Sequence, residues 1–161
     1  KNKIMKKKIF LLAMLVISIC ILPSCKKKKG CTDINSISYD NEAEVDDGSC
    51  KVAGAGGNVT LVARPQHHGT PILNTASYPD TAYLKFNTQD SPGYNPSSFD
   101  LVVPGIHIGE DHVEVEGLRP GKYFIMMTGF DTTINERVIG GIPLIITAEF
   151  GEVVLNVPVV E

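Results

Sequence analysis

The chain of 161 residues has a formal net charge of −3, which hides a strongly uneven distribution of charge. Five lysines and no acids lie in residues 1–24, and four more lysines occupy residues 26–29. Residues 30–161 therefore contain 6 basic and 18 acidic side chains, a net charge of −12. Nucleic-acid-binding domains present a basic surface, so we expect no nucleic-acid partner. The length suits one domain with short accessory segments, and 15 glycines with 10 prolines favour a turn-rich β protein.

The first segment has the pattern of a secretory signal peptide. Three lysines, Lys6 to Lys8, precede an apolar run over residues 9–22 that ends shortly before Cys25. The run is shorter than the about 20 residues that a membrane-spanning helix needs. A basic start, an apolar centre and a small residue at the cleavage point predict that residues 1–24 are removed during secretion.

The end of this segment, Leu22-Pro23-Ser24-Cys25, resembles the lipobox of bacterial lipoproteins. The resemblance implies that the Cys25 thiol receives a diacylglyceryl group and becomes the new N-terminus, with residues 25–30 as a lysine-rich tether beside membrane lipid. Two or three acyl chains anchor a protein stably, and anionic lipid attracts nearby lysines by about 1 kcal/mol each. The implied location is the cell envelope, at the outer membrane, on either its periplasmic or its outer face. The alternative is an ordinary signal peptide or an uncleaved anchor.

Cys31 and Cys50 are the thiols that remain once Cys20 leaves with the signal peptide and Cys25 carries lipid. Thiols in an oxidising compartment pair, so we expect a disulfide bond that closes residues 31–50 into a loop. This disulfide loop begins with Gly-Cys-Thr-Asp and ends with Asp-Asp-Gly-Ser-Cys. These ends resemble a short module of proteins secreted by Bacteroidetes-type bacteria, which indicates location more than activity.

The disulfide loop contains six acidic residues and no basic one. Carboxylates suit Ca²⁺, which takes 6 to 8 oxygen ligands, although the spacing does not match an EF-hand. The loop is thus either a calcium site or a solvated acidic segment held by its cysteines alone. The candidate calcium ligands are Asp33, Asp40, Asp46 and Asp47.

The remaining chain predicts a β-sandwich. Residues 51–57 are rich in glycine and alanine and predict a linker before a domain over residues 58–161. Short alternating apolar runs are separated by turn signals, without a helical period longer than one turn. Seven such runs predict an all-β fold, an antiparallel immunoglobulin-like sandwich. The predicted strands are residues 58–63, 82–86, 101–103, 112–116, 122–128, 143–148 and 152–157.

Three segments, residues 67–72, 82–86 and 115–123, resemble the prealbumin-like or carboxypeptidase-regulatory-like β-sandwiches. In those domains a leucine, a proline, a glycine and an aromatic residue form a turn that leads into a core strand. The resemblance implies a module for binding, spacing or assembly. It brings no catalytic residues.

The four histidines form two clusters along the chain, His67 with His68 and His107 with His112. Imidazoles beside a carboxylate suit Zn²⁺ or Cu²⁺. Neighbouring residues of a strand point to opposite faces, so His67 and His68 can share a metal only if the chain bends between Pro65 and Gly69. The alternatives are exposed loop histidines, or a histidine beside an acid that responds to pH.

Aromatic residues mark a candidate binding surface. Tyr78, Tyr94 and Phe99 lie in or beside the Pro- and Ser-rich stretch over residues 77–98. Loops on a rigid scaffold commonly carry function, although these aromatics could instead cover the edge of the sandwich. A partner protein or a glycan of the envelope is the expected ligand class.

Catalysis finds little support in the sequence. It contains no nucleophile elbow, phosphate-binding loop or zinc-protease motif. A triad can be assembled from Ser91, His112 and Asp100, but their local sequence does not single them out. We therefore predict a lipid-anchored binding or assembly module of the cell envelope that is not an enzyme. The alternative is a metal-binding envelope lipoprotein.

Overall fold

The computed structural model describes residues 26–161, which form ten strands and one 3₁₀ turn and include no α-helix. None of the elements in this range is a helix of the length and apolarity needed to cross a membrane. The predicted signal peptide and Cys25 lie outside the described residues. The strands are β1 (Lys29–Gly30), β2 (Val45–Asp46), β3 (Ala55–His67), β4 (Thr70–Pro71), β5 (Thr81–Phe86), β6 (Leu101–Pro104), β7 (Val113–Leu118), β8 (Gly121–Asp131), β9 (Glu136–Ile146) and β10 (Phe150–Val159), and the turn is Pro96–Ser98.

Strands β3 to β10 form a sandwich of two sheets. In the first sheet, β10, β3 and β4 follow one another, and β7 also pairs with β3. The second sheet has the order β6-β5-β8-β9 and is antiparallel throughout. All of these strands except β4 have four or more residues, and they correspond to the seven predicted runs. The predicted all-β class and sandwich arrangement are confirmed.

One pairing corrects the expectation of a wholly antiparallel sandwich. β10 runs parallel to β3 along the whole stretch from Asn58 to His67. The reason is that the chain leaves β9 in the second sheet and crosses to the first, where it runs in the direction of β3. Gly140 on β9 lets the end of β10 come close to it, because a Cβ at that position would clash with the carbonyl of Pro158.

The main core lies between the two sheets and follows the alternation of apolar residues. On β8, Tyr123, Ile125 and Met127 face the core and are fully buried. The Tyr123 hydroxyl donates a hydrogen bond to the carbonyl of Arg119 and accepts one from the N–H of Gly54. A buried hydroxyl without such partners costs about 1–3 kcal/mol, so these bonds make the tyrosine compatible with the core.

The segment predicted as a linker, residues 51–57, packs against the sandwich. β3 already begins at Ala55, and Ala53 is buried in the core. A Cβ on Gly57 would clash with the backbone of Leu118, and a Cβ on Gly121 would clash with Ala53. The glycines of this region therefore serve close approach of backbones, which a sequence pattern cannot distinguish from flexibility.

The predicted disulfide bond between Cys31 and Cys50 is present. The folded part starts before the disulfide loop, because β1 pairs in parallel with β2 and the Lys28 carbonyl accepts hydrogen bonds from two backbone N–H groups of the loop. The buried Ser36 hydroxyl donates to the Lys51 carbonyl and accepts from the Lys51 N–H. Lys28 thus belongs to the folded module and only part of the predicted tether is free to serve as one.

The sandwich has two ends with different contents. β3 spans 13 residues from Ala55 to His67, a length of about 40 Å at roughly 3.3 Å per residue. The disulfide loop lies at the end where β3 begins, and the Lys51 ammonium pairs there with Glu149. The turn after His67 lies at the opposite end, together with the loops that precede β5, β7 and β9.

Candidate metal centre

His67 and His68 come together because a tight turn follows β3. His68 has φ of 48° and Gly69 has φ of 81°, and His67 pairs with Thr70 across these two residues. Two successive positive φ values are typical of the type I′ hairpin turn, which favours glycine at its second position. The turn reverses the chain and places the two imidazole centroids 4.2 Å apart. The bend that the sequence left open between Pro65 and Gly69 is therefore present at residues 68 and 69.

The His67 ring is bound on both sides by carboxylates. Its Nδ1 lies 2.8 Å from Oδ2 of Asp131, and its Nε2 lies 2.8 Å from Oε2 of Glu161. The His67 side chain is only 6% exposed, whereas that of Glu161 is 56% exposed. One carboxylate is therefore enclosed with the ring, and the other approaches it from the solvent side.

Asp131 is held from behind by its own turn. It ends β8 on the core-facing side of that strand, and its Oδ1 accepts hydrogen bonds from the Thr133 N–H at 2.8 Å and the Thr133 hydroxyl at 2.6 Å. The Thr133 bonds and His67 lower the pKa of Asp131 to about 2. Asp131 is consequently an ionised acceptor with one oxygen directed at His67.

Both carboxylates favour the protonated form of His67. A neutral imidazole carries one N–H, whereas the imidazolium carries two and can donate to Asp131 and Glu161 together. These hydrogen bonds, with Asp131 first, raise the pKa of His67. The pKa of Glu161 is lowered by its own backbone N–H and then by His67. Without a metal, the two carboxylates therefore favour an imidazolium at His67 that is hydrogen-bonded to both of them.

His67, His68 and Glu161 can present three ligand atoms to one ion. Their ligand atoms all lie within 4.8 Å of one another. Ligands around tetrahedral Zn²⁺ lie roughly 3.3 Å apart, given Zn–N distances of about 2.0–2.1 Å. A contraction of about 1.5 Å at most is thus needed, and His68 and Glu161 are exposed side chains that can supply it.

The other two predicted histidine ligands lie elsewhere. His107 and His112 line a separate groove of about 450 Å³ with Glu110, Glu114 and other residues. The His112 ring contacts Asp111 at 3.0 Å, with the nearest oxygens of Glu114 and Glu110 at 3.7 and 3.9 Å. Within residues 26–161, neither histidine joins the three-ligand group. The two histidine clusters of the sequence thus lie in two separate places, and only His67 and His68 belong to a three-ligand group among the described residues.

The acidic residues of the disulfide loop accept hydrogen bonds from residues close to them in sequence. Asp33, Asp46 and Asp47 each accept the N–H of the residue two positions ahead, and Asp40 accepts that of Glu42 and also pairs with Lys28. Over the described part of the chain, no three of the predicted calcium ligands are brought together. Carboxylates close together in sequence thus point to different places.

The three aromatic residues of the predicted binding surface have different environments. Phe99 is buried against Phe124 and Met126 on the outer face of the second sheet, so its side chain covers that sheet. Tyr94 is 70% exposed. Tyr78 lies stacked on Phe130, with centroids 4.5 Å apart. Stretch 77–98 therefore mixes packing residues with exposed ones.

Sequence reasoning missed Asp131 and Glu161. Asp131-Thr132-Thr133 has the spacing of a local turn in which an aspartate accepts the N–H two residues ahead, and this signal marks a fixed carboxylate. Glu161 has no comparable signal, because only the parallel pairing of β10 with β3 brings it to His67. Protein-family models, curated protein sequences and solved structures give no match to this chain.

Proposed function

We propose that this protein is a lipid-anchored cell-envelope protein that binds a transition-metal ion, Zn²⁺ or Cu²⁺, through His67, His68 and Glu161. One observation carries the proposal: three ligand atoms of these residues lie within 4.8 Å of one another, beside a buried carboxylate that orients the central histidine. Imidazole and carboxylate ligands suit both ions. The role is binding, and no catalytic step is assigned.

The chemistry of His67 supports an exchange of proton for metal. The ion takes the place of the proton on Nε2, which now faces Glu161, while the N–H at Nδ1 continues to donate to Asp131. A carboxylate behind a ligating histidine fixes the tautomer and raises the basicity of the ring. Three protein ligands leave a fourth position for water or for a group of a partner.

The location is proposed from the sequence, and the fold is compatible with it. A lipid on Cys25 would leave two residues, Lys26 and Lys27, before the folded module begins at Lys28. Lys28 pairs with Asp40 and Glu42, which leaves Lys26 and Lys27 for anionic lipid. The metal ligands lie about 40 Å along β3 from the module and thus point away from the anchored end. The sequence resemblance to Bacteroidetes-type lipoproteins and to prealbumin-like sandwiches supports this proposed location.

Metal titration of the mature protein in detergent tests the binding proposal. We expect one Zn²⁺ or Cu²⁺ per chain by calorimetry, and a loss of binding in His67→Ala and His68→Ala. His107→Ala and His112→Ala are matched controls, since these imidazoles lie outside the three-ligand group. Equal loss in the control variants, or no binding by the unaltered protein, would contradict the proposal.

A separate experiment addresses the anchor. Changing Cys25 to Ser should abolish labelling with fatty acid and release the protein from membranes. Unchanged membrane retention would show that another segment holds the protein, and it would leave the metal site untouched.

A further inference from the structure

A second cavity lies on the outer face of the β6-β5-β8-β9 sheet, near the same end as the metal ligands. It is a groove of about 430 Å³, within the size range of small-ligand sites. Its floor comes from β5, β8 and β9, and the loop before β5 forms its wall. Its lining includes the side chains of Ser77, Tyr78, Thr81, Tyr83, Thr128 and Arg137.

An aromatic and cationic cluster forms one side of the groove. Phe130 on β8 and Arg137 on β9 are cross-strand partners. Tyr78 stacks on Phe130 at an interplanar angle of 14°, and the Arg137 guanidinium lies 4.9 Å from the centroid of the Tyr78 ring. Tyr78 is nevertheless 39% exposed. A flat aromatic surface is thus held in a fixed orientation beside a positive charge.

Of the six Lys and Arg side chains in residues 51–161, three lie within 4.0 Å of a carboxylate, and Arg119, Lys122 and Arg137 do not. Lys51, Arg64 and Lys85 each lie within 4.0 Å of a carboxylate. Over the described residues, Arg137 has no carboxylate at that distance, and its contact is the face of Tyr78. A guanidinium has five N–H donors, and a contact with an aromatic face leaves them available. The guanidinium of Arg137 can therefore bind an anionic group of a ligand.

The rest of the lining favours a sugar over a peptide. Ser77, Thr81, Thr128 and Tyr83 contribute hydroxyl groups to the groove. β9 is the edge strand of this sheet, but Ile139 of β9 exchanges two backbone hydrogen bonds with Val160, which covers that edge at the groove and disfavours pairing with an extended peptide there. Hydroxyl groups and an exposed aromatic ring match the polar edges and apolar faces of a pyranose.

We propose that this groove binds an acidic saccharide, with a uronate carboxylate on Arg137 and a sugar ring against Tyr78. The ligand hydroxyls then exchange hydrogen bonds with Thr81, Thr128 and Tyr83. This inference goes beyond metal binding and does not depend on it, since none of these side chains belongs to the three-ligand group. A planar guanidinium can bind a carboxylate through two parallel hydrogen bonds.

Binding of oligogalacturonate to the mature protein, followed by calorimetry in the presence of a chelator, tests this site. A neutral galacto-oligosaccharide of equal length and an oligoglutamate of equal charge are the comparison ligands. We expect oligogalacturonate to bind best. Arg137→Gln and Tyr78→Ala should each weaken that binding about tenfold or more, because a hydrogen bond to a charged group and a stacking contact are lost.

Arg119→Gln is the matched control, because Arg119 does not line the groove. Melting curves of all variants show whether the fold is retained. His67→Ala should bind the saccharide normally, which separates this site from the metal site. Absence of oligogalacturonate binding, equal affinity for oligoglutamate, or an unchanged affinity in Arg137→Gln would overturn the inference.

Discussion

The disulfide loop and the histidine end both carry carboxylates, but they use them in opposite ways. In the loop, Asp46 and Asp47 accept N–H groups only two residues ahead. At the other end, the carboxylates that reach His67 come from 64 and 94 residues away in sequence. A high density of acids along the chain therefore produces a set of local turns, whereas a sparse set of distant acids produces a cluster. A set of metal ligands therefore requires that side chains meet in space, and a high number of acids within one segment is not sufficient.

The two regions also differ in solvent exposure. The Lys28 side chain, which pairs with Asp40 of the loop, is 49% exposed, whereas the His67 side chain is 6% exposed. Water and salt screen exposed ion pairs, so they contribute little to stability. The loop consequently depends on its covalent bond, and the histidine end depends on the sandwich around it.

The largest expected effect comes from removing that covalent bond. Changing both Cys31 and Cys50 to Ser should lower the free energy of unfolding of the loop by about 3 kcal/mol, because the open chain gains conformational entropy. Hydrogen exchange should show faster opening of residues 31–50, while Zn²⁺ affinity at the distant site stays the same. A parallel loss of Zn²⁺ affinity would indicate that the two ends are coupled.

Asp131→Asn should have the next largest effect. The amide can still accept from Thr133, but it no longer presents an anion to the Nδ1–H of His67. Loss of a carboxylate behind a ligating histidine typically weakens metal binding about 10–100-fold. Calorimetric Zn²⁺ titration measures the change, with Asp111→Asn beside His112 as the matched control. If both variants bind Zn²⁺ like the unaltered protein, Asp131 does not position the ligand.

The pH dependence should have opposite signs with and without metal. In the metal-free protein the pKa of His67 is raised, so its pairing stabilises the fold below its unfolded pKa of about 6.5 and is lost as pH rises through the folded value. Burial raises the pKa of Asp80 to about 6. The Asp80 carboxyl group therefore titrates mostly below the pH at which the stabilisation by His67 is lost, and it contributes little to the change of stability with pH there.

Melting temperatures between about pH 6.5 and pH 8.5 test this sign. The metal-free protein should melt at lower temperature as pH rises, and His67→Gln should flatten the slope. The rise in melting temperature on adding Zn²⁺ should instead grow with pH, because the ion displaces a proton from Nε2. A Zn²⁺ effect that is constant with pH would argue against ligation through His67.

The smallest effect is expected from the acidic loop. Changing Asp33, Asp46 and Asp47 together to Asn should leave the Zn²⁺ affinity unaltered. The effect of Ca²⁺ on the melting temperature should be the same in this variant as in the unaltered protein. Asparagine oxygens can accept the same local N–H bonds, so the turns are retained. A calcium-dependent stabilisation that disappears in this variant would restore the calcium interpretation of the loop.

Particular residues show why some features were predictable and others were not. The seven strands follow from alternation that any core-facing strand requires, as in Tyr123, Ile125 and Met127. The packing of Phe99 was not predictable, because an aromatic residue in a polar loop has the same sequence pattern whether it covers a sheet or faces solvent. The close packing of residues 51–57 was not predictable for a related reason, since glycine permits both flexibility and close approach of backbones.

The amino-acid sequence alone determined the fold class, the Cys31–Cys50 pairing and the presence of His67 and His68 beside a glycine that permits a tight turn. These are local or compositional properties, because they depend on periodicity, on the count of thiols and on nearest neighbours. Only the tertiary structure decided that Asp131 and Glu161, and not His107 and His112, complete the cluster around His67. The physical reason is that the crossing from β9 to β10 and the sheet register set distances between residues far apart in the chain, and no local pattern encodes them.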